Sequence, residues 1–255
     1  MESLDIERPR DGVALLTLRR PERLNALDDR LLTGGLRKAL EALDEEMAVR
    51  AIVVTGSGRG FCAGADLESQ GFDQPTASEA ERFVRSTHRT PVAIRGMATP
   101  TIAAVNGPAV GAGLGLALAC DLRLAGPDAR FGSPFVQMGL VPDFGVSYFL
   151  PRVVGTATAL DLMLTGRTVD ADEADRIGLV ARVCDDVVAD ALDAAESLAS
   201  LPPHAVTMTR RNTYRSMELD LEAEVLEQEV RAQAVALQGS EFPARFAAWR
   251  DQVQG

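Results

Sequence analysis

Asp143 is the residue whose surroundings in the sequence best suit it to move a proton. Apart from the weakly acidic Tyr148, it is the only ionisable side chain between Arg130 and Arg152. A carboxyl group among apolar residues loses hydration, which raises its pKa toward the range that a general base needs near neutral pH. An aspartate that directly precedes a helix also commonly serves as the N-cap. The sequence leaves both roles open, with a helix predicted to begin at Phe144.

Two glycine-rich segments could present bare backbone N–H groups to a ligand. They read GSGRGFCAGADL at 56–67 and NGPAVGAGLG at 106–115, and each follows an apolar run. Small residues allow close approach to the backbone, and the start of a helix favours negative charge. The dinucleotide pattern G-x-G-x-x-G is not met, because Phe61 and Leu116 stand where it needs glycine. Tight turns alone would explain the same residues, so both interpretations remain open.

The composition of the 255-residue chain disfavours several other chemistries. A net charge of -11 argues against binding nucleic acid through phosphate neutralisation. One lysine, two histidines and three widely spaced cysteines predict neither Schiff-base chemistry nor a metal site. The uncharged run at 98–120 contains Pro108, which would break a membrane-spanning helix, so we expect no membrane partner. The sparse cysteines and the lack of a leader-like N-terminus predict a cytoplasmic protein.

Apolar periodicity predicts alternating strands and helices first, and mainly helices from about residue 143 onward. The predicted strands are 13–18, 51–55, 101–105 and 122–125. The predicted helices are 27–43, 78–95, 111–119, 144–150, 156–165, 171–176, 186–200, 204–216, 219–238 and one near 242–252. This alternation predicts crossover units around a largely parallel sheet. We therefore expect an α/β core at 1–200 and a helical C-terminal region at 201–255.

Three separated segments, 51–67, 100–121 and 131–155, resemble the signature regions of the crotonase, or enoyl-CoA hydratase/isomerase, superfamily. The resemblance runs from about residue 5 to 250, and PERLNAL at 21–27 is similar to the family's N-terminal acyl-CoA-binding segment. It implies a crotonase-like spiral of ββα units with a helical C-terminal trimerisation region. A homotrimer or dimer of trimers is then expected, and an apolar stripe of Phe242, Phe246 and Trp249 suits either assembly or the chain's own core.

The resemblance also implies roles for individual positions. An acyl-CoA thioester would be the substrate, with no separate cofactor, and its oxygen would be held by the backbone N–H groups of Ala65 and Ala112. The residues implied in binding the CoA and acyl parts are Arg23, Ala26, Ala63, Asp66, Leu67, Gly111, Pro134 and Phe135.

Departures from the hydratase pattern shape the functional hypothesis. Hydratases of the family carry two glutamates, whereas the matching positions here are Gly115 and Phe135, neither of which can transfer a proton. Asp143 instead stands where isomerases of the family carry their single acid. Two N–H donors would stabilise a thioester enolate, so one carboxylate could move a proton from C2 to C4. The leading hypothesis is therefore a 3,2-enoyl-CoA isomerase with Asp143 as acid and base.

Three alternatives remain open at this point. One is a hydratase-named paralogue, although its residues argue against efficient hydration. Another is an aryl-CoA or acyl-CoA dehalogenase or hydrolase, in which Asp143 is a nucleophile and His88 activates water; His88 could equally be a surface residue of its helix. The third is a non-catalytic acyl-CoA binder on the same fold.

Overall fold

The structure is a computed structural model that describes residues 3–66, 76–217, 226–239, 242 and 244–245. Its strands are β1 (Leu4–Arg10), β2 (Val13–Leu18), β3 (Ala51–Gly56), β4 (Thr101–Val105), β5 (Pro108–Val110), β6 (Leu122–Ala125), β7 (Arg130–Gly132), β8 (Thr168–Asp170) and β9 (Arg182–Val183). Its helices are α1 (Leu36–Glu45), α2 (Ala77–Thr87), α3 (Arg89–Gly96), α4 (Ala112–Ala119), α5 (Val146–Val154), α6 (Thr156–Thr165), α7 (Ala171–Arg176), α8 (Val187–Ala199), α9 (Pro203–Ser216) and α10 (Leu226–Gln238). Short 3-10 turns cover Pro21–Arg23 and Pro134–Met138, and a π-helical turn covers Leu31–Gly35.

A six-stranded sheet in the order β1-β2-β3-β4-β6-β9 forms the centre of the fold. Only the β1–β2 pair is antiparallel, and the neighbours from β2 to β9 all pair in parallel. The central strand β3 is buried along its whole length, as expected for a strand covered on both faces. The predicted crossover units around a largely parallel sheet are confirmed.

Helices cover the two faces of this sheet. On one face, Ala191 and Ala195 of α8 pack against β2, β3 and β4. On the other face lies the larger apolar core, which includes α1, α3 and α4. Helix α4 is buried at every position because its small residues allow close packing. None of the described helices is long and apolar enough to cross a membrane.

A second, three-stranded sheet in the order β5-β7-β8 connects the two glycine-rich segments to the 131–135 region. Strand β5 pairs in parallel with β7, and on its other side Ala109 forms an isolated bridge with Cys62. The chain at 108–110 therefore lies between the first glycine-rich segment and Phe131. The second sheet therefore brings together segments 51–67 and 100–121, which resemble the family signatures, and the start of the third such segment, 131–155.

Several predicted element boundaries are wrong, for identifiable reasons. The helix predicted at 27–43 begins only after Asp28, because Leu27 bridges Ala65 and the Asp28 carboxylate accepts from Leu31 N–H at 2.9 Å. The helix predicted at 78–95 is two helices that meet at His88, and Pro91 lacks the N–H that a continuous helix needs. Strands β1, β5, β7, β8 and β9 were not predicted. Most of the helix predicted near 242–252, with Phe246 and Trp249, lies outside the described residues.

Candidate active site

The first glycine-rich segment lies between two neighbouring stretches of backbone. On one side Cys62 N–H donates to Pro108 O at 2.9 Å, and Val110 N–H donates to Cys62 O at 3.0 Å. On the other side Ala63 N–H donates to Leu24 O at 2.9 Å. The structure therefore places the two glycine-rich segments side by side, with residues 24–27 along the outer edge.

Gly64 turns the next peptide toward the second glycine-rich segment. Leu27 N–H donates to Gly64 O at 2.7 Å and Asp66 N–H donates to Leu27 O at 2.9 Å, so these two groups face Leu27. Successive N–H groups of an extended chain point to opposite sides, so the Ala65 N–H points away from Leu27, toward 110–112. The N–H groups of Ala63 and Asp66, three residues apart, both face residues 24–27, so the regular alternation is interrupted between them. The positive φ of Gly64, +100°, allows this interruption.

Ala112 presents its N–H at the same place. It is the first residue of α4, whose first intrahelical bond is donated by Gly115 N–H to Gly111 O at 3.0 Å. The N–H of Ala112 therefore has no partner within the helix. Across the part of the chain that the structure describes, neither Ala65 N–H nor Ala112 N–H has an acceptor. A Cβ on Gly64 would lie 3.4 Å from Ala112 N, so the two segments are in contact here.

The residues implied in CoA binding at the N-terminal side lie on these same stretches. Arg23 is exposed at the end of its 3-10 turn, and Ala26 is buried close by. Ala63 and Asp66 run alongside them through the backbone bonds to Leu24 and Leu27. The Asp66 carboxylate accepts from Arg20 Nη2 at 2.7 Å and is 7% exposed, so its side chain is engaged in an ion pair. Leu67 lies outside the described residues.

The remaining residues implied in substrate binding, Gly111, Pro134 and Phe135, lie beside the start of α4. Gly111 N–H donates to Gly132 O at 3.0 Å, and a Cβ on Gly111 would lie 3.7 Å from Phe135 Cζ. Pro134 begins the 3-10 turn that carries Phe135, whose ring is buried. Position 135 therefore holds an apolar ring beside the start of α4.

Asp143 lies in an unusual turn and is not the N-cap of the following helix. Phe144 has a φ of +49° and Gly145 a φ of +84°, so α5 begins at Val146 with Gly145 as its N-cap. The prediction of a helix from Phe144 is wrong because both residues adopt left-handed backbone. The half-buried Asp143 carboxyl is thus free of a capping role, and burial raises its pKa above the ordinary value.

Phe144 fixes this turn against α4 at Gly115. A Cβ on Gly115 would lie 2.5 Å from Phe144 O and 3.1 Å from Phe144 Cδ1, so no side chain fits there. Gly115 follows Ala112 by three residues, about 4.5 Å along the helix axis. The contact holds Asp143, next to Phe144, beside the first turn of α4.

His88 lies near Asp143, although the two residues are 55 positions apart in the sequence. It sits where α2 meets α3, and its Nδ1 lies 2.7 Å from Val84 O. Its charge opposes the effect of burial on the pKa of Asp143. The structure therefore places the two candidate residues His88 and Asp143 near each other.

Two asparagines that sequence reasoning did not single out shape the first glycine-rich segment. Asn25 is 1% exposed and donates to Gly60 O at 2.7 Å, and Asn106 Nδ2 donates to Gly56 O and Gly58 O, each at 2.9 Å. A buried amide can satisfy several carbonyls of an irregular loop at once. The only signal in the sequence for these two roles is a polar residue beside apolar residues, at Asn25, or beside a glycine, at Asn106.

The fold places two backbone N–H groups that lack an acceptor among the described residues near a half-buried carboxyl group. Residues 8–247 match the family model for enoyl-CoA hydratase/isomerase. The chain belongs to this family and is an acyl-CoA enzyme.

Similar proteins extend over nearly the whole chain. It is 42% identical over 241 residues to the "Probable enoyl-CoA hydratase EchA14" of Mycobacterium tuberculosis, covering 92% of this chain and 93% of the relative. The crystal structure of a "probable enoyl-CoA hydratase/isomerase" from Mycobacterium abscessus matches with a TM-score of 0.90 at 36% identity, over 98% of this chain and 96% of that one. An enoyl-CoA hydratase from Bacillus anthracis matches with a TM-score of 0.90 at 29% identity, with the same coverage. The predicted crotonase-like fold is confirmed.

Proposed function

We propose that this protein is a 3,2-enoyl-CoA isomerase in which Asp143 is both the base and the acid. The observation that carries the proposal is the contact between Gly115 and Phe144, which leaves no room for a second acid at position 115 of α4. Phe135 occupies the other position at which hydratases carry a glutamate. Isomerisation needs one proton carrier, whereas the hydratase arrangement uses two carboxylates on water.

The reaction follows from the positions of three groups. The N–H groups of Ala65 and Ala112 bind the thioester oxygen and stabilise the negative charge that develops there. Such preorganised donors contribute about 3–4 kcal/mol each to transition-state stabilisation. Asp143 takes a proton from C2 to form the enolate and returns it at C4, so the double bond moves from position 3 to position 2.

Burial of the Asp143 carboxyl supports this role. A raised pKa makes the carboxylate a stronger base and the carboxylic acid a usable donor nearer to neutral pH. The buried Phe135 ring lies at the wall where an attacking water would need a polar partner. Both features favour a proton shift over the addition of water.

The proximity of His88 to Asp143 favours one second candidate, hydrolysis or dehalogenation through an aspartyl intermediate. In that reaction the Asp143 carboxylate attacks the acyl carbon and expels CoA thiolate to give an anhydride, or attacks the aryl carbon and expels halide to give an aryl ester. His88 then deprotonates the water that hydrolyses this intermediate. Single turnover in heavy-oxygen water would then place label in the Asp143 carboxylate, and His88→Ala would trap the intermediate.

The replacement Asp143→Asn tests the isomerase proposal. It keeps the shape of the side chain and removes the proton acceptor, so conversion of 3-enoyl-CoA to 2-enoyl-CoA should fall by at least about a hundredfold, with binding of CoA esters nearly intact. Exchange of the C2 proton with deuterated water should fall in parallel. The control Asp128→Asn changes an exposed aspartate and should leave both rates unaltered. Labelled Asp143, or hydration without isomerisation in the wild type, contradicts the proposal.

A further inference from the structure

A cavity of about 460 Å³ opens between α3, α5 and α9, with His88 and Gly145 in its wall. We call it the Arg95 cavity. Its volume lies within the usual range of small-molecule sites, roughly 300–1,000 Å³. Its walls are mostly apolar and include Val92, Tyr148 and Phe149. The cavity is large enough to hold an extended organic chain.

Two residues near the proposed acid and base also line the Arg95 cavity. His88, which lies close to Asp143, lines it, and so does Gly145, two residues after Asp143. On the proposed function, the thioester oxygen lies at Ala65 and Ala112, and Asp143 faces C2 to C4. The part of the acyl chain beyond C4 then extends past Asp143 and needs the space that this cavity provides.

Arg95 gives the cavity an unusual chemical character. Its guanidinium stacks on the Tyr214 ring at 3.5 Å from the centroid and on the Phe149 ring at 4.7 Å. Stacking occupies the faces of the guanidinium and leaves its N–H edges for an acceptor. Within the described residues it donates no hydrogen bond and makes no ion pair. Burial disfavours its charged form and lowers its pKa, and the nearby Tyr214 and Asp121 oppose this effect only in part.

The neighbouring carboxylate of Asp121 is already engaged. One of its oxygens accepts from Arg210 Nε at 2.7 Å and from the Tyr214 hydroxyl. The other accepts from the backbone N–H of Thr101 at 2.7 Å and from its hydroxyl at 3.0 Å. The described lining of the cavity contains two arginines and a histidine and no carboxylate. Among the residues that line the cavity, a negative group would therefore meet cationic side chains and no carboxylate.

We propose that the Arg95 cavity binds the distal end of the acyl chain and that Arg95 selects chains that end in a carboxylate. The apolar walls hold the methylene groups, and the N–H edge of the guanidinium matches a carboxylate in a two-point hydrogen bond. A chain that ends in a methyl group leaves the desolvated guanidinium without an acceptor, which is unfavourable.

Binding of two saturated acyl-CoA esters of equal chain length, one ending in a carboxylate and one in a methyl group, tests the proposal by calorimetry. Saturated chains carry no double bond to move, so affinity is measured without turnover. The wild type should bind the carboxylate-ended ester at least about tenfold more tightly. This ratio should fall to about one in Arg95→Gln and stay unchanged in Arg89→Gln, an exposed arginine on the same helix. Thermal unfolding of each variant shows whether the fold is kept.

Each outcome decides a separate question. Equal affinity of the wild type for the two esters overturns the proposal, and a preference that survives Arg95→Gln overturns the role of Arg95. If Arg95→Gln does not fold, Arg95→Lys keeps the charge but loses the planar fork, and the ratio should again fall. A wild type that shows the preference but does not isomerise 3-enoyl-CoA refutes the proposed function and leaves carboxylate selection standing.

Discussion

Replacement of Gly64 by alanine should separate the two proposed oxyanion donors. The added Cβ would lie 2.8 Å from Val110 O, closer than Cβ contacts in proteins, and 3.4 Å from Ala112 N. The φ of +100° at this position is also one that residues with a side chain rarely adopt. The chain must therefore move away from 110–112, and the N–H of Ala65, one residue later, moves with it.

The expected size of the effect has two parts. Forcing a side chain into this backbone conformation costs about 1–3 kcal/mol of stability. Loss of one oxyanion donor costs about 2.7–4 kcal/mol of transition-state stabilisation, which corresponds to roughly 100- to 1,000-fold in kcat. Gly64→Ala should therefore lower kcat for isomerisation and slow C2 proton exchange by roughly this factor. Activity is measured well below the melting temperature of the variant, so that unfolded protein does not contribute.

Gly178→Ala is the matched control for this experiment. Gly178 also has a positive φ, +71°, but a Cβ there would have no atom within 4 Å. It should therefore share the backbone strain and retain the activity. If folded Gly64→Ala protein loses no more activity than Gly178→Ala, the assignment of the Ala65 and Ala112 N–H groups as oxyanion donors is wrong.

Two further predictions concern the charged groups. Because burial raises the pKa of Asp143, the base form is lost by protonation at a higher pH than for an exposed aspartate, and kcat/KM should fall below that raised pKa. His88 opposes the shift, so His88→Ala should move the fall to still higher pH; an unchanged pH profile would contradict their interaction. The buried Arg210 donates to Asp121 at 2.7 Å and to backbone carbonyls, so Arg210→Met should cost about 3–5 kcal/mol in urea unfolding. The exposed Arg211→Met should cost little, and equal losses would refute a specific role for the buried pair.

The central elements could be predicted because runs of apolar and small residues indicate buried strands and helices. The apolar run at 101–105 is strand β4, and the helix predicted at 111–119 is α4, shifted by a single residue at its start. Strands β5, β7 and β8 have three residues each, too few for any periodicity to show. They form because neighbouring segments supply hydrogen-bond partners, which the local sequence does not contain.

The fine structure of the site was the least predictable part. Nothing in the letters VPDFG at 141–145 shows that Phe144 has a positive φ, since phenylalanine rarely adopts it. That conformation separates Asp143 from the helix and removes the capping role. The residue types at 64 and 115 were visible, but the need for glycine there depends on atoms from distant segments, Val110 and Phe144.

The contact between Gly115 and Phe144 makes these two positions interdependent during sequence change. A side chain can enter position 115 only if the turn at 144 first moves, and that movement displaces the adjacent Asp143. Effects of substitutions in direct contact are not additive, so neither change alone reveals what the pair would do. A library of single substitutions would therefore find position 115 intolerant, and a carboxylate at this position of α4 becomes accessible only when positions 115 and 144 vary together.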